Sequence, residues 1–254
     1  AASIGAIVQK HRPDIVFNLA ALSFVGNSWA MPHLYMDVNC GGFINVLEAV
    51  RQHAPHAHIV QASTSEMFGN VGGQLHEDSP MLPASPYGVS KLASHRLCQV
   101  YRESFGMRIS SAISFNHESP RRPPIFVTRK ITTQIAQTGR VVLAGSRWAS
   151  RDWGFAGDFV RAYVLMAERE RPDDYVIGTG EVHSVEEFAD LAFKIAGKPA
   201  AIHSEGEGRP NDVMRLWSNP SKAMNVLGWQ PRVSFEGLVR MMVEHDMAKE
   251  LVMA

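Results

Sequence analysis

His58-Ile-Val-Gln-Ala-Ser-Thr-Ser-Glu66 is a short, largely apolar run that closes on small polar residues. That is the pattern of a parallel β-strand covered on both faces, with a ligand-facing loop at its carboxyl end. Upstream, Asp14-Ile-Val-Phe-Asn-Leu-Ala20 is a second such run and is expected to be buried in the same way. A helix from residue 32 to about 53 joins the two, with Leu34, Val38, Leu47 and Val50 near one stripe. Downstream, a helix over about 85–105, with Val89, Leu92, Leu97 and Val100 expected to face inward, leads to a third strand at 108–115. Strand, helix, strand, helix, strand at this spacing is a βαβ series, so the fold class is α/β with a doubly wound parallel sheet. Ahead of it, residues 3–11 read as the closing turns of a helix broken by Pro13.

Beyond Asn116 the texture changes. Pro120, Pro123 and Pro124 interrupt a charged segment. Helices follow near 128–137, 157–170, 185–196 and 235–249, with short strands at 141–143 and 175–177, and Asn219-Pro-Ser221 caps another helix. The division expected is residues 1–118 for a dinucleotide-binding layer, with interleaved pieces near 150–180, and 119–254 for a smaller, partly interleaved substrate region.

Composition narrows the function. The 254 residues are 45% hydrophobic and 20% charged, with 25 basic and 25 acidic side chains. That balance gives no bulk electrostatic attraction for nucleic acid or an anionic membrane. No apolar run reaches the roughly 18 residues needed to span a bilayer. Two cysteines, Cys40 and Cys98, support neither a disulfide framework nor a zinc site, and no metal is expected. The opening AASIGAIVQKHRPD lacks a signal-peptide layout, so a cytoplasmic location is expected. His53, His56 and His58 read as a solvated turn.

The sharpest chemical signal is Tyr87-Gly-Val-Ser-Lys91. Residues four apart share a helix face, and an adjacent ammonium would pull the phenol down from about 10 toward a usable general base. Alone, the spacing is also that of an ordinary exposed helix. Its context strengthens the functional reading: Ser85-Pro86 marks a helix start, and Thr64-Ser65-Glu66 puts a hydroxyl and a carboxylate at a strand end.

Together with Gln61–Gly69, Ser85–Lys91, Phe115–Arg122, Phe126–Thr132, Arg151–Val160 and Leu227–Pro231, these motifs resemble the GDP-mannose 4,6-dehydratase family of extended short-chain dehydrogenase/reductases. The resemblance covers essentially the whole chain, in order. It implies a Rossmann-like fold and a hydro-lyase that oxidises the sugar at C4, abstracts the C5 proton, expels water from C6 and returns the hydride. It further implies NADP (NAD possible) as cofactor, a GDP-sugar substrate on the way to GDP-fucose, and a homodimer or homotetramer. Carried over residue by residue, Thr64, Glu66, Tyr87 and Lys91 would be catalytic. Leu19, Ala20, Ala21, Ser23, His117 and Arg122, with Tyr87 and Lys91, would meet the cofactor. Ser65, Asn116, Val127, Lys130, Arg151, Arg209 and Asp212 would meet the substrate.

The chain departs from the family pattern at its front: the strand, G-x-x-G-x-x-G turn and helix that receive the cofactor pyrophosphate are not in it. The expectation is a chain that starts at a later helix of the sheet, leaving an apolar sheet edge open. Pro123 stands where glycine is usual, Leu22 where glutamine is, and Asp212 where glutamate is. Two other readings stay open: another extended-family sugar epimerase or 4-keto reductase, and a catalytically silent nucleotide-sugar binder. Glu66 separates the first rival, because an epimerase needs no acid at that position.

Overall fold

The structure is a computed structural model and describes residues 2–206, 208 and 210–253, the side chains of 252 and 253 excepted. Strands Ile15–Asn18, His58–Ala62, Arg108–Ser114 and Asp174–Ile177 form one parallel sheet in that spatial order. Ile59 and Ile109 point to one face, where they meet Val8, Phe43, Leu47, Val50 and Cys98. Val60 and Ala112 point to the other, against Phe159, Met166 and Trp229. Helices therefore cover both faces, as expected.

Four features differ from the sequence reading. The Ile15–Asn18 strand is not buried on both faces: Ile15 is 42% and Phe17 43% exposed, because the strand lies at the open edge of the sheet. The segment from Pro32 to His53 contains a π-helical turn at Met36–Gly41. An inserted π turn rotates what precedes it, so Leu34 faces outward while Tyr35 and Asn39 are buried. The Pro86–Phe105 helix buries Tyr87, Ser90, Lys91, Ser94, His95 and Cys98, and exposes Val89 and Val100. Its inner face carries polar groups as well as Cys98, because the sheet opposite sets Ser111 and Asp174 among its isoleucines. His95 Nδ1 meets Ser111 Oγ at 2.9 Å, and Arg102 pairs with Asp174 at 2.7 Å. His58 is likewise no solvated turn residue: it is fully buried between Ser110 Oγ (2.9 Å) and the Ala167 carbonyl (3.0 Å).

A second core lies beside the sheet. Helices Val127–Thr138, Val185–Ala196 and Phe235–Met253 pack Ile131, Ile135, Phe188, Phe193, Leu238 and Met242 together. The helix Ser221–Leu227 belongs to the sheet side, since Ala223 and Leu227 pack with Tyr175 and Ile177. Between the two cores, Asn116–Glu118 pairs with Trp153–Phe155, and Ser150–Arg151 pairs with Arg215–Leu216. Strands this short carry no readable period in the sequence.

Candidate active site

The carboxyl ends of the sheet strands open into a cavity of about 780 Å³, bounded on the far side by the helical core. This is where a doubly wound sheet places its ligands. Thr64 caps a short 3₁₀ turn, Ser65–Met67, with its Oγ1 accepting from the Glu66 N–H at 3.3 Å. The turn brings Thr64, Ser65 and Glu66 into the cavity wall. Opposite stands the first turn of the Pro86–Phe105 helix, capped by Ser85 Oγ accepting from Gly88 N–H at 3.1 Å. Tyr87 and Lys91 project from it into the same cavity.

Gly88 governs how closely these two walls approach. A Cβ there would lie 2.8 Å from the Glu66 carbonyl oxygen and 2.9 Å from Pro83 Cβ. Only a residue without a side chain lets the helix rest on the Glu66 main chain.

The expected ion pairing of phenol and ammonium is not what the protein shows by itself. Lys91 Nζ donates to the Ala62 carbonyl at 2.5 Å, and burial brings its pKa down to about 8. Burial pushes Tyr87 up to about 12; the Glu66 charge adds to this, and the nearby Thr64 hydroxyl and Arg122 oppose it. Tyr87 thus rests as a neutral phenol hydrogen-bonded to Thr64.

The remaining candidates fall around the cavity. Leu19, Ala21 and Ser23 line it from the loop after the edge strand; Ala20 does not. That loop is tied down by Asn39, whose side chain accepts from Leu22 N–H (2.8 Å) and donates to Leu22 O (3.1 Å) and Ser90 Oγ (3.0 Å). Asn39 was not among the sequence candidates, because nothing in its spelling betrays the π turn. His117 stacks on Phe159 with ring centroids 4.9 Å apart. Arg122 lies over the Phe126 ring at 3.5 Å and pairs with the buried Glu118 at 3.2 Å. Asn116, Val127 and Lys130 line the cavity too, and Arg151 pairs with Asp212 at 3.6 Å on its margin. Arg209 lies outside the described residues. Trp29, also unforeseen, lines a side lobe next to Glu66.

The residues present suit the nicotinamide end of a dinucleotide: a phenol and an ammonium at a strand end, walled by Phe115 and His117. No G-x-x-G-x-x-G turn occurs in the 254 residues to receive a pyrophosphate.

A doubly wound sheet with a Tyr-x-x-x-Lys helix at the lip of so large a cleft defines an extended short-chain dehydrogenase/reductase. The family profile of GDP-mannose 4,6 dehydratase matches residues 1–242, and the chain belongs to that family. GDP-mannose 4,6 dehydratase 2 of Arabidopsis thaliana is 44% identical, over 97% of this chain and 69% of its own length. Among solved structures, the Thermus thermophilus UDP-glucose 4-epimerase in complex with NAD superposes with a TM-score of 0.90 at 30% identity, over 96% of this chain and 81% of that one. RMD from Pseudomonas aeruginosa complexed with NADPH shares the fold, with a TM-score of 0.87 at 24% identity over 94% and 83%.

Proposed function

We propose that the protein is a hydro-lyase that converts GDP-mannose to GDP-4-keto-6-deoxymannose. The observation that carries the reading is the placement of Glu66 and Tyr87 in one cavity wide enough for a hexose. When bound, an oxidised nicotinamide dinucleotide held by Leu19, Ala21, Ser23, His117 and Arg122 would supply a hydride acceptor and donor for the sugar and a positive charge that would favour the phenolate. Tyr87 receives the C4 hydroxyl proton, and the Lys91 ammonium, anchored on the Ala62 carbonyl, stabilises the phenolate that receives it. The C4 ketone acidifies C5–H, and the Glu66 carboxylate takes that proton. Glu66 then passes that proton to the C6 hydroxyl, which departs as water while Thr64 hydrogen-bonds the leaving oxygen; Tyr87 gives its proton to C5 as hydride is restored at C6, so the net change is loss of one water.

The wider reading comprises several parts. Ser65, Asn116, Val127, Lys130, Arg151, Arg209 and Asp212 hold the GDP-sugar, and the cofactor is NADP, with NAD as the alternative. Fork and ammonium donors on the diphosphate side suit its charge. The exposed Val89, Val100 and Phe105 of the Pro86–Phe105 helix support association into a homodimer or homotetramer, and the protein is cytoplasmic.

Incubation with GDP-mannose and NADP tests the reaction, with the product read by NMR. A 4-keto-6-deoxy sugar is expected; a C4-inverted sugar would assign an epimerase instead. Glu66→Gln should lower turnover by about 10²–10⁴ while leaving GDP-mannose binding within a few-fold. Unchanged turnover would remove Glu66 from the mechanism.

A further inference from the structure

Glu118 ends the Asn116–Glu118 strand and is only 2% exposed, yet no step of the reaction uses it. A carboxyl group taken out of water is costly unless partners meet it. Thr128 Oγ1 donates to Glu118 Oε2 at 2.7 Å, and Arg122 Nε pairs with the same oxygen at 3.2 Å. Burial pushes the Glu118 carboxyl up, and the Arg122 charge and the Thr128 hydroxyl oppose that rise.

No helix brings Arg122 beside Glu118; a turn does. The Arg122 N–H donates to the Ser119 carbonyl at 3.0 Å, which folds the chain back toward the strand end. From the other side, Arg129 Nε donates to the Pro120 carbonyl at 3.2 Å. Glu118 thus covers the Nε edge of the Arg122 guanidinium, and the Phe126 ring covers one face, its centroid 3.5 Å away. Among the described residues no acceptor meets the two Nη groups. Arg122 lines the main cavity together with Tyr87 and His117.

We propose that Glu118 is a positioning residue, which holds the Arg122 fork at the cavity wall to receive a phosphate of the dinucleotide cofactor. Two free N–H groups on one planar cation match two phosphoryl oxygens. A loose arginine must lose several rotations on binding an anion, whereas one already held loses fewer. The pairing has an opposite effect on charge: a carboxylate beside the guanidinium weakens its pull on any anion. Charge alone therefore predicts that removing the Glu118 carboxylate tightens cofactor binding, and positioning predicts that it weakens it. The inference rests on the function proposed above and adds a residue that acts through Arg122.

The test is calorimetric titration of wild type, Glu118→Gln, Arg122→Ala and the double variant with NADP and with GDP. Glutamine keeps the size of the side chain and an oxygen for Thr128. Glu118→Gln should weaken NADP about five-fold, leave GDP within two-fold, and cause no further loss in the Arg122→Ala background. Unchanged or tighter NADP binding, an equal loss for GDP, or the same loss without Arg122 would each overturn the inference. A second measurement needs no ligand: phenylglyoxal should modify Arg122 several-fold faster in Glu118→Gln than in wild type, read by peptide mass spectrometry, and equal rates would also overturn it. If wild type binds neither NADP nor GDP, the proposed function fails, while the phenylglyoxal rates still decide whether Glu118 holds Arg122.

Discussion

Under the Pro86–Phe105 helix the buried side chains include Ser90, Lys91, Ser94 and His95, each with a named polar partner. Among the Val127–Thr138, Val185–Ala196 and Phe235–Met253 helices they are Ile131, Ile135, Phe188, Phe193 and Met242. The cavity lies between these two interiors. A hydrocarbon core tolerates exchange of one apolar shape for another. A core of directed hydrogen bonds does not, since each group must meet its partner at one distance and angle. The helix that carries Tyr87 and Lys91 is thus seated on the part of the molecule that fixes orientation, and the helical core supplies cohesion.

This division of roles can be broken most sharply at Tyr87. Tyr87→Phe should lower turnover by about 10²–10⁴ with no loss of thermal stability, and stopped-flow absorbance should detect no transient reduced cofactor. A transient of wild-type size would remove the phenol from the oxidation step. At the opposite pole, Phe188→Ala should cost about 3–5 kcal/mol in urea unfolding, while the fraction that stays folded keeps its activity at low temperature. A selective loss of activity would mean that the helical core also positions the site.

Asn39→Ala sharpens the comparison from within the polar interior. It removes the three side-chain hydrogen bonds to Leu22 and Ser90, and should cost about 1–3 kcal/mol. It should also weaken cofactor binding, because the 19–23 loop loses its tie. The smallest effect is in acid. Burial lowers the pKa values of His58 and His95, partly opposed at His95 by the Asp174 charge. The unfolded chain therefore takes up protons more readily than the folded one below the ordinary histidine value of 6.5. Stability is full above that pH and falls as pH drops below it. Urea midpoints at pH 7.5 and 5.5 should differ in that direction, and less so in His58→Gln.

The order of strands and helices, and the meeting of Thr64, Glu66, Tyr87 and Lys91, were legible because they follow from periodicity and from two compact motifs. The facing of the Pro86–Phe105 helix was not. Val89 and Val100 look like a core stripe only if the sheet opposite carries no polar groups, and Ser111 and Asp174 supply them. The Ile15–Asn18 strand reads like its neighbours because hydrophobic pattern reports composition, not position at an edge. Trp29 lay in a stretch with no period at all, and only the fold carries it to Glu66.

The contact at Gly88 bears on what can be engineered. Main chain rests on main chain there, at a separation that no side chain could adjust. Substitutions at 64–66, 87 or 91 would alter the chemistry of the slot, whereas any side chain at 88 would force its walls apart. To admit a bulkier sugar, redesign has to begin on the facing wall, in the 210–213 segment.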